Sequence, residues 1–306
     1  MLHNVTEDEC ILYLWQNEKT VVIGRNQNPW NECRIKELSE AGGKMVRRLS
    51  GGGAVYHDLG NLNFTFLITK TNYNLDRQLG VIIRAVNNLG IPAEKSGRND
   101  ITVEGKKFSG NAFYSMGNKC YHHGTILVDV DMSALSRYLN VSKAKLQSKG
   151  VDSVKSRVTN LKDYNPDLTI DLLKAELIKA FGEVYGLEPI RMDIDSLPED
   201  DLQEREKKFS SWEWNFGRKI EFSDQIHRRF AWGDILLQMT VIGGIIKDCR
   251  AYSDSLEVEL FEEIPKVLIN CKYTQEAMEE ALRSLSVDDG RKQMLEDIIM
   301  MICEEV

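Results

Sequence analysis

Three consecutive glycines that follow two arginines form the most chemically suggestive pattern in this sequence. They belong to the stretch RRLSGGGAVYHD at residues 47–58. Glycine lets a ligand approach the backbone closely, and successive N–H groups can bind an anion. Arg48 could add a forked positive charge for a phosphate or a carboxylate. A flexible hairpin tip with ion-paired arginines explains the pattern equally well. The strand-like AVYH and the lack of GK[ST] exclude a P-loop and a dinucleotide fingerprint.

A second block places a lysine on the strand-like segment KKFSGNA. Strand alternation predicts Lys107, Ser109 and Asn111 on one face, and Phe108 and Gly110 on the other. If the first face lines a site, Lys107 supplies a fixed positive charge beside a carboxylate and an α-phosphate. Two solvated lysines on an exposed strand are the simpler alternative, and the segment alone favours that alternative.

Two adjacent histidines, His122 and His123, could suggest a metal site. Neighbouring residues on a strand point to opposite faces, so we do not expect a two-histidine metal site. One of the two could contact a ligand, and a structural histidine explains the pair at least as well.

The composition argues against several classes of protein. With 306 residues, 42% of them hydrophobic, the chain can bury a full core and has room for about two domains. A net charge of −8 without a long basic run argues against nucleic acid as a partner. No apolar stretch is long enough to span a bilayer, which predicts a cytoplasmic protein without a membrane partner. Six cysteines, far apart and without a CxxC pair, are expected to be free thiols.

Short apolar runs separated by turn residues predict a β-rich first part. Residues 10–15 and 20–24 are expected to pair as a β-hairpin. Further strands are expected at 44–48, 54–57, 63–69, 101–103, 107–114 and 124–130. Apolar residues at helical spacing predict helices at 75–89 and 171–185, each followed by a glycine. The segment 142–160, rich in Lys, Ser and Arg, is predicted to be a mobile loop.

The last third of the chain predicts a small second domain. The charged segment 218–229 is interpreted as a link between domains. Strands at 232–240 and 245–252, with helices at 274–285 and 290–303, indicate a small α+β domain after it.

Taken together, these blocks resemble the lipoate-protein ligase family. The order and spacing of several blocks carry the resemblance, which covers nearly the whole chain. The blocks are 20–30, 47–58, 60–61, 97–100, 107–112, 122–125, 156–161 and 211–217. The resemblance implies an α+β protein with a catalytic domain at 1–220, built like biotin ligases and class II synthetases with mixed, mainly antiparallel sheets. It also implies a small α+β accessory domain at 226–306.

The resemblance further implies a two-step reaction. The lipoate carboxylate attacks the α-phosphate of ATP, with Mg²⁺ as cofactor, to give lipoyl-AMP and pyrophosphate. The amine of an acceptor lysine then attacks the mixed anhydride. The implied acceptors are lipoyl domains of 2-oxoacid dehydrogenase E2 subunits and the glycine cleavage H protein, each bound transiently by a monomeric ligase.

The family motifs carry residue roles onto matching positions of this sequence. Lys107 matches the lysine that contacts lipoate and adenylate, and we interpret it as the catalytic residue. The residues expected to contact ATP or the adenylate are Arg48, Gly53, Ala54, Val55, Tyr56, Asn99, Asp100 and Lys107. The residues expected to contact lipoate are Arg48, Gly52, Lys107, Gly110 and His123. Asp100 is also the candidate Mg²⁺ ligand, and the segment 143–160 resembles the loop that covers the adenylate.

One departure from the family concerns the start of the chain. The family usually begins with a helix carrying an Asn-Leu-Ala-x-Glu-Glu type motif, which is missing before residue 11. We therefore expect that the start is truncated or that Met1 is not the natural start.

Two other functions remain open at the level of sequence. A lipoyl or octanoyl transferase would take an activated acyl group, and a thioester route would need a nucleophilic cysteine, for which Cys33 and Cys120 are the nearest candidates. A non-catalytic module that senses lipoate is the more distant alternative. The chain shows no basic recognition helix that would support such a regulator on DNA.

Overall fold

The computed structural model of the chain describes residues 2, 5–97, 100–140, 158–192, 199–217 and 221–306. The described chain divides into two compact units. The first unit comprises Met1–Val22, Cys33–Val46 and Val55–Phe209. The second unit comprises Ile23–Glu32, Arg47–Ala54 and Ser210–Val306. Each unit therefore combines segments from distant parts of the chain.

Strands dominate the first part of the chain, and both units also contain helices. The strands are β1 (Cys10–Trp15), β2 (Thr20–Ile23), β3 (Lys44–Arg47), β4 (Val55–His57), β5 (Asn61–Thr69), β6 (Ala93–Ser96), β7 (Asp100–Val103), β8 (Lys106–Met116), β9 (Lys119–Leu127), β10 (Asp224–Phe230), β11 (Gly233–Ile242) and β12 (Ile245–Ser253). The α-helices are α1 (Pro29–Glu32), α2 (Ile35–Glu40), α3 (Leu75–Asn88), α4 (Met132–Tyr138), α5 (Ile170–Tyr185), α6 (Glu199–Ser210), α7 (Trp212–Asn215), α8 (Glu259–Leu268), α9 (Gln275–Arg283) and α10 (Asp289–Glu305). The predicted α+β class is confirmed. Among the described residues, no helix is both long and apolar enough to cross a membrane.

A six-stranded antiparallel sheet forms the frame of the first unit. Its strand order is β1-β5-β9-β8-β7-β6, and each neighbouring pair runs antiparallel. One face, which we name the core face, packs against α3 and α5. Phe64, Leu79, Ile82, Leu173 and Leu177 are almost fully buried there. Burial of side chains of this size stabilises the fold by roughly 1.5–3 kcal/mol each, so the helices hold this face in place.

Local signals at both ends define α3 and α5. The side chains of Asn74 and Thr169 each accept a hydrogen bond from a backbone N–H three residues later, which satisfies a free donor of the first turn. Gly90 and Gly186 follow the helices with φ of 79° and 69°, a conformation that favours glycine. Both helices are therefore confirmed as predicted.

The predicted hairpin between the first two strands is wrong, although both strands exist. β1 pairs with β5, from Cys10 opposite Ile68 to Trp15 opposite Asn63. β2 instead pairs with β4 in a three-stranded sheet of order β3-β2-β4. β1 is half-buried along its length, whereas every residue of β2 is buried, so the two strands need different surroundings. Lys19, with φ of 42°, lies where the chain passes from one sheet to the other.

The C-terminal part of the second unit is a small sheet covered by helices. Its strand order is β10-β11-β12, and α8, α9 and α10 contribute to its core with Phe261, Leu282 and Ile298. The predicted link at 218–229 is wrong from Asp224 onward, because β10 pairs with β11 along its whole length. Residues 218–220 lie outside the described residues.

Candidate functional site

Lys107 and Asp100 meet as an ion pair in the first unit. Lys107 Nζ lies 2.6 Å from Asp100 Oδ1, and the two side chains are 37% and 36% exposed. A pair this exposed contributes only about 0–1 kcal/mol to stability. Its main effect is positional, because the carboxylate holds the end of a flexible lysine in one place. Asn99, which is expected to contact ATP or the adenylate, lies outside the described residues.

A β-bulge adjoins Lys107 on β8. The register with β7 passes from Ile101 opposite Ser109 to Thr102 opposite Lys107, so Phe108 is an extra residue on β8. Phe108 is fully buried in the apolar core. An extra residue interrupts strict alternation and redirects the side chain beside it.

The bulge changes which residues share a face with Lys107. An ideal Cβ at Gly110 would lie 2.8 Å from Lys107 Nζ, and Gly110 pairs with Asp100 across the strands. Ser109 and Asn111 are buried, 0% and 4% exposed. Lys107 therefore lies with Gly110 and Asp100 on the face opposite the core face. The predicted common face of Lys107, Ser109 and Asn111 is wrong, because alternation does not pass through a bulge unchanged.

The two histidines point to opposite faces of β9, as predicted. His122 is fully buried on the core face, where burial lowers its pKa to about 3. His123 is half-buried on the other face, with its ring 5.3 Å from that of Tyr121 in an edge-on arrangement. His123 therefore lies on the same face of the sheet as Lys107 and can contact a ligand there.

The last residues of the predicted mobile loop at 142–160 are attached to the backbone of Lys107. Val158 forms a parallel β-bridge with Lys107, and Thr159 N donates to Lys107 O at 3.0 Å. Residues 143–157 of the loop expected to cover the adenylate lie outside the described residues. The end of that loop is thus held directly at the candidate catalytic residue.

In the second unit, the Arg48 guanidinium folds onto carbonyl groups of its own glycine segment. Arg48 Nη2 donates to Gly51 O at 2.7 Å and to Gly53 O at 2.8 Å. Gly52 has φ of 90°, and an ideal Cβ there would lie 3.0 Å from Arg48 Nη2. Gly52 N donates to Ser255 O at 2.8 Å. These contacts favour a fixed positive group over a flexible hairpin tip.

The remaining predicted nucleotide contacts lie at the start of β4. Ala54 ends a segment of the second unit, whereas Val55 and Tyr56 belong to the first unit. Tyr56 is 5% exposed, and its ring lies 5.5 Å from that of Tyr138. Burial raises the pKa of Tyr56 to about 12, so its hydroxyl stays protonated at neutral pH.

Arg47 has a structural role that the sequence did not reveal. Its Nη1 donates to three carbonyl oxygens, and its Nε and Nη2 donate to one each. The acceptors are the carbonyl oxygens of Gly24, Arg25, Gln27, Trp214 and Asn215. Burial and the nearby Arg25 lower the pKa of Arg47 to about 10. The sequence shows two successive arginines before the glycines, but it does not show which of them is surrounded by carbonyl groups.

Neither a metal cluster nor a reactive thiol is evident near these residues. Within the described part of the chain, no group of three or more His, Cys, Asp and Glu side chains could hold a metal ion. All six cysteines are free thiols, as predicted. Burial raises the pKa of Cys33 to about 11 and also raises that of Cys120. Neither thiol is therefore prepared to act as a nucleophile at neutral pH.

Comparison with known proteins identifies relatives along most of the chain. Residues 1–182 match the model of the lipoyl protein ligase A/B catalytic domain, and residues 219–302 match that of the bacterial lipoate protein ligase C-terminus. The lipoate-protein ligase A of Psychrobacter cryohalolentis is 41% identical over 281 residues, which cover 89% of this chain and 83% of that protein.

Solved structures resemble the fold as well. P. falciparum LipL1 in complex with lipoate has a TM-score of 0.83 at 33% identity, covering 97% of this chain and 88% of that chain. The bipartite lipoate protein ligase of Thermoplasma acidophilum, studied with its E2 lipoyl domain, has a TM-score of 0.63 at 28% identity, covering 73% and 90%. A lipoate-protein ligase A bound with ATP has a TM-score of 0.60 at 27% identity, covering 71% and 90%.

Proposed function

This chain belongs to the lipoyl protein ligase A/B family, and on that premise we propose that it is an ATP-dependent ligase that attaches lipoate to a lysine of lipoyl domains. Relatives that bind lipoate and ATP support the two substrates. The relative studied with its E2 lipoyl domain supports lipoyl domains as acceptors. We extend the proposal to the glycine cleavage H protein as acceptor and to a ligase that acts as a monomer.

The proposed reaction has two steps. A carboxylate oxygen of lipoate attacks the α-phosphorus of ATP, the bond to the bridging oxygen of the β-phosphate breaks, and pyrophosphate leaves. The acceptor lysine, as a free amine, then attacks the acyl carbon of lipoyl-AMP. The bond from that carbon to the phosphate oxygen breaks, AMP leaves, and the new amide nitrogen loses a proton.

The observation that supports adenylation most directly is the fixed ammonium group of Lys107. Two anionic groups, the lipoate carboxylate and the α-phosphate, must approach one another in the first step. Lys107, held by Asp100 above the open surface of Gly110, can neutralise both and stabilise the charge that develops during the displacement. A positive charge that is already in place needs no reorganisation during the reaction.

Other site residues are assigned supporting roles. Arg48 and the backbone from Gly53 to Tyr56 bind the nucleotide, while Gly52, Gly110 and His123 adjoin lipoate. Mg²⁺ is bound in proteins by one or two carboxylates together with substrate phosphates, and Asp100 is the candidate carboxylate. Because Asp100 Oδ1 is already engaged by Lys107, its geometry favours the orienting role. Bound Mg²⁺ would neutralise phosphate charge.

The two alternatives fit these observations less well. A transferase that works through a thioester needs a thiolate, and burial raises the pKa of Cys33 and Cys120. A module that only senses lipoate would need Lys107 for the carboxylate alone, whereas the family match extends over the catalytic domain of ligases that bind ATP as well.

The test is lipoate-dependent exchange of labelled pyrophosphate into ATP, with Mg²⁺ and without an acceptor protein. We expect exchange, because the first step is reversible and needs no acceptor. A folded sample that shows no exchange, yet modifies a lipoyl domain when supplied with lipoyl-AMP, would contradict adenylation and indicate a transferase.

A further inference from the structure

His122 lies between two amide side chains in the core of the first unit. Its Nε2 is 2.7 Å from Asn111 Oδ1 on β8, and its Nδ1 is 3.0 Å from Gln78 Oε1 on α3. The ring stacks against Phe66 and Phe113, with ring centroids 5.8 and 5.1 Å apart. The imidazole therefore connects a helix to the strand that carries Lys107.

The protonation state of the His122 imidazole decides which of its two nitrogens donates a hydrogen bond. A neutral imidazole carries one N–H and can donate to only one of the two oxygens. A charged imidazole could donate to both, but it would be fully buried among aromatic rings. We assign the hydrogen to Nε2, because the contact of this nitrogen with Asn111 Oδ1 is the shorter of the two.

The other contact is satisfied when the Gln78 amide is turned over. With Oε1 facing His122, Gln78 Nε2 is buried near the Tyr185 hydroxyl but makes no hydrogen bond of normal geometry among the described residues. The oxygen and nitrogen of an amide have nearly the same shape, and their assignment follows the hydrogen bonds. Turning the amide lets Gln78 Nε2 donate to His122 Nδ1. A buried orphan donor and an unfavourable contact between two acceptors are removed together.

The same turn extends the hydrogen bonds to the edge of the sheet. The Gln78 side chain adjoins the Tyr185 hydroxyl, and Cys10 Sγ donates to Tyr185 Oη at 3.3 Å. With Gln78 turned, Tyr185 can donate to Gln78 Oε1. The thiol and the hydroxyl then donate toward Gln78, while Gln78 and His122 donate onward to β8. Each contact in this series of hydrogen bonds then joins one donor to one acceptor.

The final acceptor in this chain lies close to the candidate catalytic residue. Asn111 follows Gly110, the residue beneath the Lys107 ammonium group. An ideal Cβ at Gly124 on β9 would lie 2.8 Å from Asn111 Oδ1 and 2.7 Å from Gly110 O. Glycine at 124 therefore allows β9 and the Asn111 side chain to approach closely. The place of Asn111 is fixed by His122 on one side and by this close approach on the other.

We propose that His122, as the neutral tautomer with hydrogen on Nε2, is a positioning residue that fixes Asn111 and so keeps the adjacent Gly110 and Lys107 in place for adenylation. The catalytic half of this inference rests on the proposed function, whereas the tautomer does not. His122 acts through Asn111 and touches neither substrate.

The tautomer is tested by imidazole ¹⁵N NMR of the folded full-length chain. We expect His122 to show a protonated Nε2 and an unprotonated Nδ1, without change between pH 6 and 8. The opposite tautomer, or a charged ring at neutral pH, would overturn the inference. Because this measurement does not involve turnover, it separates a failure of the inference from a failure of the proposed ligase activity.

The positioning role is tested by His122→Phe, which retains an aromatic ring between Phe66 and Phe113 but removes the donor. We expect kcat for pyrophosphate exchange to fall roughly tenfold or more with little change in KM, because small displacements of a catalytic group are costly. His122→Gln, which can present an N–H again, should recover part of the loss. Ile126→Val, a packing change in the same core, should leave kcat unchanged. A folded His122→Phe variant with unaltered kcat would refute the positioning role.

Discussion

The ammonium group of Lys107 lies above Gly110, three residues further along the same strand. An ideal Cβ at position 110 would come within 2.8 Å of Lys107 Nζ and 2.9 Å of its Cε. The β-bulge at Phe108 brings these two residues onto one face, where Asp100 completes the arrangement. The position of the Lys107 ammonium group thus depends on the absence of a side chain at Gly110 as much as on its partner Asp100.

Gly110→Ala should reduce activity far more than stability. The new methyl group meets only the flexible end of Lys107, which can move aside at little cost, but the movement separates it from Asp100. We expect a roughly 10- to 100-fold lower rate of pyrophosphate exchange and a change of less than about 1 kcal/mol in the free energy of unfolding. Urea unfolding and exchange kinetics measure the two effects. An alanine variant with normal activity would show that the observed position of Lys107 is not required.

Gly124→Ala, on the neighbouring strand, should mainly destabilise the fold. Its Cβ would lie 2.6 Å from Phe64 Cζ, 2.7 Å from Gly110 O and 2.8 Å from Asn111 Oδ1. These atoms belong to the backbone and the packed core, so they cannot move aside as the flexible end of a lysine can. The variant should therefore lose about 1–3 kcal/mol of unfolding free energy. Urea denaturation of this variant beside Gly110→Ala provides the comparison. Equal stability of the two would contradict the packing observed between β8 and β9.

Lys107→Ala should abolish most adenylation while the protein stays folded. Removing one preorganised electrostatic group costs about 100- to 1,000-fold in kcat at comparable sites. The exposed neighbour Lys106 supplies a matched control, since Lys106→Ala changes the net charge equally and should retain exchange activity. Exchange kinetics and circular dichroism test both variants. Wild-type exchange in Lys107→Ala would rule out this assignment.

Arg47→Lys should destabilise the second unit despite conserving the charge. The guanidinium of Arg47 serves five carbonyl oxygens, and an ammonium has three donors on a different geometry. Buried carbonyl groups left without donors should cost about 1–3 kcal/mol in total. Thermal unfolding of the variant measures the loss. A variant as stable as wild type would mean that water replaces the guanidinium without loss.

Stability should fall in mild acid because of His122. Its folded pKa of about 3 lies below the usual histidine value of 6.5, so the unfolded chain binds an extra proton between these values. Protonation therefore favours unfolding as the pH drops through 6.5, and the loss from this group alone should reach about 2 kcal/mol at pH 5. Urea unfolding at pH 7 and pH 5, with His122→Phe as reference, isolates the effect. An equal pH dependence in both proteins would show that His122 does not titrate on unfolding.

The parts of the fold predictable from sequence are those set by neighbours in the chain. The helices α3 and α5 carry their own caps and terminal glycines, and β7 and β8 follow one another across a short turn. The third predicted strand, at 124–130, overlaps β9 only in part, because β9 begins at Lys119. The pairing of β1 with β5 was missed because it joins residues about fifty positions apart and depends on which sheet each strand can cover. Helix α8 was missed because Pro265 lies within it, and a proline inside a helix removes a hydrogen bond.

The sequence motifs indicated candidate site residues one by one, but they did not predict how those residues are arranged. Lys107 was selected from its motif, whereas its relation to Gly110 depends on burial of Phe108 and the resulting bulge. Sequence spacing alone does not reveal that Phe108 is buried in the core and that a bulge follows from its burial. The same limit hid the enclosure of Arg47, because its acceptors come from segments nearly 200 residues apart in the chain.

The second unit combines two early segments of the chain with a late one, and this limits the order in which the unit can fold during synthesis. Arg47 and Gly52 leave the ribosome early, yet their partners Asn215 and Ser255 follow only when most of the chain has been translated. Until then, Ile23–Glu32 and Arg47–Ala54 lack their hydrogen bonds to the C-terminal part of the unit, although they already bond to each other through Arg25 N and Ser50 O. The surroundings of the glycine segment are therefore completed late. For the same reason, a fragment ending at Phe209 would carry these two segments without their packing partners.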